Sequence, residues 1–190
     1  MAIRIVVFAG STRTDSLNKK LARQAARAVD EAGGESAYFD LRDYPMPLYD
    51  GDLEAREGIP PNALAIRNYL QNAKGLIIAS PENNSSMSAV LKNTLDWVSR
   101  PWHGKPGDLP YRGRVAALIA ASPGALGGLR GLGHLRATLQ GLGVLVLSEQ
   151  MALPRADQAF DGDGRLVDAK QQAKLQEIAT RLVDVAKRLG

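Results

Sequence analysis

The sequence predicts an α/β fold in which a five-stranded parallel sheet carries helices on both faces. Two observations lead to this prediction. Short runs of β-branched and other apolar residues recur along the chain, and each is followed by a segment with apolar residues at helical spacing. Strands and helices that alternate in this way build doubly wound sheets that are buried on both faces. The 190 residues provide enough chain for one substantial core, so we expect a single domain over 1–190.

The predicted strands are short apolar runs bounded by turn-forming residues, and they cover 3–9, 36–41, 75–80, 114–121 and 144–147. Gly33 and Gly34 end the first predicted helix, and Pro60 and Pro61 begin the second. The helices are identified by mainly apolar residues that fall on one face, at 17, 21, 25, 28 and 32, at 64, 66, 69 and 70, at 90, 91, 94, 95 and 98, at 132, 135, 139 and 142, and at 175, 178, 182, 185 and 189.

Residues 42–61 form a long connection that contains several prolines and two tyrosines. We expect no regular structure there, because prolines at this density disfavour helix and strand alike. Exposed aromatic residues in a stiff loop are typical of a binding edge or a subunit contact. A loop packed over the edge of the sheet explains the same pattern, and the sequence does not separate the two interpretations.

The composition excludes several classes of function. The net charge is +4 and the basic residues are scattered singly, unlike the clustered charge of a nucleic-acid-binding protein. The chain has no cysteine, so any redox chemistry must come from a bound cofactor, and its two distant histidines make no metal site. No apolar run approaches the roughly 20 residues that span a bilayer, and no signal-peptide pattern precedes the first strand. We therefore expect a cytoplasmic protein with no nucleic-acid or membrane partner.

The segment 10–18, Gly-Ser-Thr-Arg-Thr-Asp-Ser-Leu-Asn, joins the first strand to the first helix. Its hydroxyls, its arginine, its free backbone N–H groups and the positive end of the helix dipole favour binding of a phosphate. Gly10 is the only glycine before residue 31, so neither the dinucleotide fingerprint nor the Walker pattern is present. A terminal monophosphate ester such as that of FMN fits better. The alternative is an ordinary strand-to-helix turn with Ser16 as its N-cap.

Two further loops, 81–88 and 122–128, also follow predicted strands and are rich in Pro, Asn, Ser and Gly. The carboxyl ends of parallel strands line one crevice, so we expect these loops to face the phosphate loop. They can present backbone groups to the edge of a flat heterocycle without bulky side chains in the way. Together the three loops favour a flavin mononucleotide over a bare phosphate.

Motifs in all three loops resemble those of the NADPH-dependent FMN reductase family, a flavodoxin-like group that includes bacterial quinone, chromate and azo-dye reductases. The resemblance covers nearly the whole chain. It rests on Gly10-Ser11-x-Arg13-x-x-Ser16-x-Asn18, on Pro81-Glu82-x-Asn84 with Leu91-Lys92-Asn93-x-Leu95-Asp96-Trp97, on Ser122-Pro123-Gly124 through Gly127-Gly128, and on His134-Leu135-Arg136, with Pro47-Leu48-Tyr49-Asp50 as a further similar stretch.

The resemblance implies a flavodoxin-like fold, FMN as cofactor and NADPH or NADH as co-substrate. The FMN phosphate and ribityl chain are expected to contact Ser11, Arg13, Ser16, Leu17 and Asn18. The isoalloxazine is expected to lie between two segments, Pro81, Glu82, Asn83 and Asn84 on one side and Ser122, Pro123 and Gly124 on the other. No side chain is expected to act as a catalytic acid or base, because the flavin carries the chemistry.

The implied function is an oxidoreductase that passes electrons from NAD(P)H to a small acceptor by a ping-pong hydride mechanism. The candidate acceptors are quinones, azo compounds, chromate-like oxyanions and free flavin. A homodimer or homotetramer is implied by the same resemblance. The alternative is a flavodoxin-like electron carrier without its own catalysis, although the positive net charge differs from the acidic character of flavodoxins.

Two features depart from the family pattern. Asn83 stands where the family usually has an aromatic residue after the glutamate, and Ser85 stands where a glycine is common. The segment 101–112 is longer than expected before the next strand, and it is either a lid over the flavin or a solvated loop. Trp97 also has two interpretations, as a core residue or as part of a subunit interface.

Overall fold

A five-stranded parallel sheet forms the centre of the molecule in a computed structural model that describes residues 2–101 and 109–189. Its strands are β1 (Ile3–Ala9), β2 (Gly34–Tyr38), β3 (Gly75–Ala79), β6 (Val115–Ala121) and β7 (Leu145–Leu153), in the order β2-β1-β3-β6-β7. Each neighbouring pair is parallel. The predicted doubly wound, flavodoxin-like α/β fold is therefore confirmed.

Helices cover both faces of this sheet. They are α1 (Leu17–Glu31), α2 (Gly51–Glu57), α3 (Pro61–Gln71), α4 (Ala89–Val98), α5 (Leu129–Gly141) and α6 (Ala169–Leu189). One core cluster joins α1 and α6 to one face, and the other joins α3, α4 and α5 to the opposite face. The strand residues alternate between the two clusters, as the period of two in a pleated strand requires.

Three predicted boundaries were wrong. The strand predicted over 36–41 is β2, which ends at Tyr38 because the Asp40 carboxylate accepts a hydrogen bond from the Arg42 N–H and starts a 3₁₀ turn at Leu41–Asp43. The last strand is longer than predicted, because β7 continues through a polar stretch along the sheet edge, with a register shift against β6. Helix α6 begins six residues before Leu175, with an exposed polar first turn that carries no apolar periodicity.

The prediction of no regular structure over 42–61 was also wrong. Helix α2 lies inside this segment, and its prolines fall outside the helix. The Asp50 side chain caps α2 by accepting the N–H groups of Asp52 and Leu53. A local N-cap therefore starts a helix between two proline-rich stretches.

A two-stranded ribbon, β4 (Glu82–Asn83) and β5 (Ser86–Met87), was not predicted. It projects from the carboxyl end of β3, and its two turn residues, Asn84 and Ser85, have φ angles of 48° and 64°. Two consecutive left-handed residues are typical of a type I′ turn, which connects tightly twisted hairpins. The ribbon packs against the start of α5.

The loop between β6 and α5 lies directly against the backbone of β7. A Cβ atom at Gly127 would meet the Leu153 carbonyl carbon and the Pro154 nitrogen at 2.7 Å, and the φ of Gly127 is +62°. By contrast, Gly133 in the middle of α5 has no atom within 4 Å of the same test position. Gly127 lies in this loop and Gly133 in the helix that follows it. Of the two, only Gly127 has surrounding atoms that exclude a side chain.

We predict opposite effects of alanine at these two glycines. Gly127→Ala should lower the free energy of unfolding by more than about 1 kcal/mol, because the new methyl group meets backbone and the left-handed conformation becomes strained. Gly133→Ala should raise it by roughly 0.5–1 kcal/mol through helix propensity. Urea denaturation of both variants tests this, and equal effects would contradict the packing described for the loop.

Candidate functional site

A cleft of about 420 Å³ opens at the carboxyl ends of β1, β3 and β6. Small-molecule sites in proteins typically have volumes of about 300–1,000 Å³. Of the twelve residues predicted from the sequence, ten line this cleft: Ser11, Arg13, Ser16, Leu17, Asn18, Pro81, Glu82, Asn83, Ser122 and Pro123. The other two, Asn84 and Gly124, belong to the same loops but do not line it. The three predicted loops therefore converge on one crevice.

The first loop presents unpaired hydrogen-bond donors to the cleft. Ser16 caps α1 by accepting the Lys19 N–H, and the Ser11 hydroxyl accepts the Arg13 N–H at 3.3 Å. The backbone N–H groups of Thr12 and Leu17 have no acceptor among the described residues. The Arg13 side chain is exposed and makes no hydrogen bond or ion pair within that same part of the chain. This combination suits an anion at a helix N-terminus.

Asn18 has a structural role that the sequence did not reveal. Its side-chain amide donates to the Ala121 carbonyl at 2.8 Å and accepts the Ala121 N–H at 2.9 Å. The residue is only 4% exposed. This pair of hydrogen bonds fastens the first turn of α1 to the end of β6, so Asn18 fixes the distance between two walls of the cleft.

Ser88 and Gly10 were missed as lining residues, together with Thr12, Val90 and Ala121. Ser88 caps α4 by accepting the Leu91 N–H, and its hydroxyl donates to the Gly10 carbonyl at 2.6 Å. A Cβ at Gly10 would meet two atoms of the Leu91 side chain at 2.9 Å. The first loop thus lies directly on α4. The signals were a serine at the start of a predicted helix and a lone glycine at the end of a strand.

Glu82 lies between the ribbon and the first turn of α5. Its carboxylate accepts the Gly131 N–H at 3.0 Å and pairs with the Arg130 guanidinium at 2.8 Å. Burial tends to raise the pKa of Glu82, but the hydrogen bonds from Gly131 and Arg130 outweigh burial and lower the pKa below its usual value. Glu82 is thus held as an anion that fixes the ribbon on α5.

Asn83 is exposed at the cleft, and its side chain makes no hydrogen bond within the described chain. An aromatic side chain at this position would cover part of the opening, whereas the amide of Asn83 leaves a smaller and more polar wall. The departure from the family pattern therefore falls at the mouth of the cleft.

A buried ion pair next to the first loop connects the start of α1 to the chain that follows β2. The Lys19 ammonium, 2% exposed, lies 2.8 Å from the Asp40 carboxylate. Asp40 also accepts the Arg42 N–H, and the Arg42 guanidinium donates to the Thr14 hydroxyl. The chain that follows β2 is thereby joined to the loop that follows β1. Removing one member of such a pair leaves an uncompensated buried charge.

The stretch around Pro47 to Tyr49 is held on α4 by three hydrogen bonds. The Pro47 carbonyl accepts from the Asn93 amide at 2.9 Å and from the Trp97 indole at 2.8 Å, while the Tyr49 N–H donates to Asn93 at 2.8 Å. Trp97 is fully buried. Trp97 is therefore a core residue of the protomer rather than an exposed interface residue, and its indole also anchors the loop at Pro47. Leu48, between the anchored residues, is 77% exposed.

Residues 102–108, which include most of the segment considered as a lid, lie outside the described residues. Across 2–101 and 109–189, no three potential ligand side chains are grouped as a metal site would require. Over the same ranges, no helix has the length and apolar character needed to cross a membrane.

Comparison with known proteins identifies the family. The family model for NADPH-dependent FMN reductase matches residues 3–158. The chain belongs to this family. It is 37% identical over 177 residues to an NAD(P)H-dependent FMN reductase of Pseudomonas aeruginosa, covering 92% of this chain and 90% of that one. It is 35% identical over 178 residues to a 2-hydroxy-1,4-benzoquinone reductase of a Burkholderia species, covering 93% and 92%.

A solved structure shows the same fold. The flavoenzyme NAD(P)H:(acceptor) oxidoreductase of Paracoccus denitrificans superposes with a TM-score of 0.84 and 27% identity, and each chain is covered completely. As a member of the NADPH-dependent FMN reductase family, this chain is an oxidoreductase that uses FMN with NAD(P)H as electron donor.

We predict that Glu82→Gln lowers the free energy of unfolding at pH 7 by about 1–2 kcal/mol, because charge-assisted hydrogen bonds to Arg130 and Gly131 are weakened. A carboxyl whose pKa is lowered by folding stabilises the folded state above its unfolded pKa, and this stabilisation is lost as the pH falls through the folded pKa. The difference between parent and variant should therefore persist above pH 4.5 and shrink below it.

Urea denaturation of both proteins at pH 7 and near pH 4 measures this difference. Glu31→Gln is the matched control, since Glu31 is exposed and makes no hydrogen bond or ion pair within the described chain. A difference that is as large near pH 4 as at pH 7 would show that the Glu82 charge does not hold the ribbon.

Proposed function

We propose that the cleft binds FMN and that the protein transfers electrons from NAD(P)H to quinones and related small acceptors. The single observation that carries the proposal is a convergence at one edge of the sheet: N–H donors and an Arg13 guanidinium that have no partner within 2–101 and 109–189 meet the loops 81–88 and 122–128. Ligands of open α/β sheets bind at this edge. The protein acts as one FMN-binding domain.

The donor set fits the phosphate end of FMN. The N–H groups of Thr12 and Leu17 face no acceptor among the described residues, and Arg13 adds a guanidinium that can bind a phosphate with two parallel hydrogen bonds. Ser11 and Ser16 supply hydroxyls at the same wall. The side chain of Asn18 is largely used by Ala121, so its backbone N–H is its contribution to the phosphate, and Leu17 covers the ribityl chain.

The other two loops fit the flat ring system. Residues Pro81 to Asn83, together with Ser122 and Pro123, bound the opposite side of the cleft. Asn84 and Gly124 extend the same two loops beyond its lining. When bound, FMN supplies the hydride chemistry, and the chain supplies orientation and electrostatics. Glu82 is no candidate for a general base, because its carboxylate is already occupied by Gly131 and Arg130. Backbone N–H groups near the ring stabilise negative charge on it.

Quinones are the first choice among the proposed acceptors, because a relative that is 35% identical to this chain is named a 2-hydroxy-1,4-benzoquinone reductase. Azo compounds, chromate-like oxyanions and free flavin remain in the proposal as acceptors of the same electrons. We infer that the nicotinamide and the acceptor contact the bound flavin in this cleft one after the other. This predicts ping-pong kinetics, with parallel double-reciprocal plots. Intersecting lines would contradict the shared site.

Anaerobic absorbance spectroscopy tests the function directly. The protein is reconstituted with FMN, desalted and mixed with NADPH or NADH. We expect retained flavin that bleaches within seconds and regains colour when a quinone is added. Flavin that is retained but ignores both nucleotides would indicate an electron carrier, because a carrier requires a separate reductase.

We predict that Arg13→Ala weakens FMN binding by roughly 1.5–3 kcal/mol, the usual cost of a lost charge-assisted hydrogen bond. Fluorescence titration of the apoprotein with FMN measures the change. Arg27→Ala is the matched control, since Arg27 is an exposed arginine on α1 outside the cleft. Riboflavin, which lacks the phosphate, should bind the parent and the Arg13 variant alike. Unchanged FMN affinity would remove Arg13 from the site.

A homodimer or homotetramer is the proposed assembly. It is supported by the exposed Leu48, whose chain neighbours Pro47 and Tyr49 are hydrogen-bonded to α4 through their backbone atoms. Burial of this apolar side chain between subunits would favour association. Sedimentation equilibrium of the parent and of Leu48→Asp tests this proposal.

A further inference from the structure

Arg155 is fixed beside the cleft, at the carboxyl end of β7. Its φ of 48° lies in the left-handed region, which residues other than glycine seldom adopt. The Gln158 N–H donates to the Arg155 carbonyl, and the Ala156 N–H donates to the Ser122 carbonyl, both at 3.1 Å. Ser122 lines the cleft. The residue that follows Arg155 is therefore hydrogen-bonded directly to a residue of the cleft wall.

The Arg155 side chain is exposed and makes no hydrogen bond or ion pair within residues 2–101 and 109–189. Other arginines on the neighbouring elements are occupied. Arg136 donates to the Leu147 carbonyl and to Gln150, Arg130 pairs with Glu82, and Arg181 approaches Glu149. Two arginines on loops at the carboxyl edge of the sheet thus have uncommitted guanidinium groups in this part of the chain, Arg13 after β1 and Arg155 after β7.

A separate groove of about 360 Å³ runs beside Arg155. It includes Ala125, two residues beyond the Pro123 that lines the cleft, so the groove continues from the same loop. Pro154 and the 60% exposed Val167 give it an apolar surface, while Gln158 adds an amide. The arrangement combines a cation with a surface that a flat ring or a ribose can cover.

Asp168 is the one acidic side chain in the lining of this groove. Its carboxylate accepts the Lys170 N–H at 2.7 Å at the start of α6. It forms no ion pair with Arg155 within the described residues. Because Asp168 is negative, it opposes an anion in the groove, and its removal should strengthen anion binding. Removal of the Arg155 charge should therefore weaken anion binding, whereas removal of the Asp168 charge should strengthen it.

We propose that this groove binds a phosphate group of the pyridine dinucleotide, with Arg155 as the phosphate ligand. The proposal rests on the proposed function, in which Arg13 is used by the cofactor phosphate. A dinucleotide with its nicotinamide in the cleft must extend beyond the cleft, and its phosphates then need a second cation. The backbone of Arg155 is held at the adjoining wall, and its guanidinium has no partner among the described residues. The phosphate is either the 2′-phosphate of NADPH or the pyrophosphate that NADPH and NADH share.

Steady-state kinetics of the FMN-loaded enzyme show which of the two groups is bound, the 2′-phosphate or the pyrophosphate. In Arg155→Gln, we expect the KM for NADPH to rise about ten- to hundredfold, as for other lost charge-assisted contacts, with the effect on KM rather than on kcat. If the 2′-phosphate is bound, the KM for NADH stays unchanged. If the pyrophosphate is bound, the KM for NADH rises equally. An unchanged KM for both nucleotides would overturn the proposal.

Two further variants sharpen the experiment. Asp168→Asn keeps a side-chain oxygen for the Lys170 N–H, since asparagine caps helices as well as aspartate, and should lower the KM that Arg155→Gln raises. Arg112→Gln is the matched control, because Arg112 is exposed and precedes β6 at the opposite edge of the sheet. Failure of the parent to be reduced by either nucleotide would refute the proposed function. A normal parent with a normal Arg155→Gln would refute only this inference.

Discussion

The geometry of the cleft depends on the paired hydrogen bonds between the Asn18 side chain and the backbone of Ala121. They cross from the first turn of α1 to the end of β6, and the two residues are 103 positions apart in the chain. A buried amide that loses such partners costs about 1–3 kcal/mol for each unsatisfied group. The same two hydrogen bonds connect the loop 10–18, which precedes α1, to the carboxyl end of β6.

Other side chains extend this connection around the rim. Ser88 joins α4 to the Gly10 carbonyl, and the Gly10 N–H donates to the Ala79 carbonyl at the end of β3. Glu82 then joins the ribbon to α5. Each strand end therefore contributes a donor or an acceptor to its neighbour. A rim held in this way presents its unpaired N–H groups without reorganisation when a ligand binds, which favours affinity.

Most of the fold was predictable because each buried element carries a strong local signal. The apolar runs of β1, β3 and β6 and the spacing in α1 fix their own type, and the site loops follow from strand ends in a parallel sheet. The turn residues Asn84 and Ser85 gave no such signal, since serine seldom adopts a positive φ and a glycine would have marked the hairpin. Helix α2 depended on one cap residue, Asp50, within a proline-rich stretch.

The residues of the site were predictable by type, but their tasks were not. Glu82 and Asn18 lie where the sequence predicted, yet their side chains bind protein rather than face the cleft with free groups. Those partners, Gly131 and Ala121, are distant in the sequence and contribute backbone atoms, which leave no trace in residue identity. No sequence motif marked Arg155, because its place beside the cleft depends on the path that the chain takes after β7.

The order of the sheet leaves β2 and β7 as its two edge strands, and an open edge can recruit a strand from another molecule. Both edges carry polar residues that discourage this. Glu35 on β2 pairs with Arg4 of β1, and β7 exposes Ser148 and holds Glu149 near Arg181. Polar and charged positions on the two edge strands are therefore expected to disfavour edge-to-edge pairing with a strand of another molecule, and their replacement by apolar residues should weaken this protection.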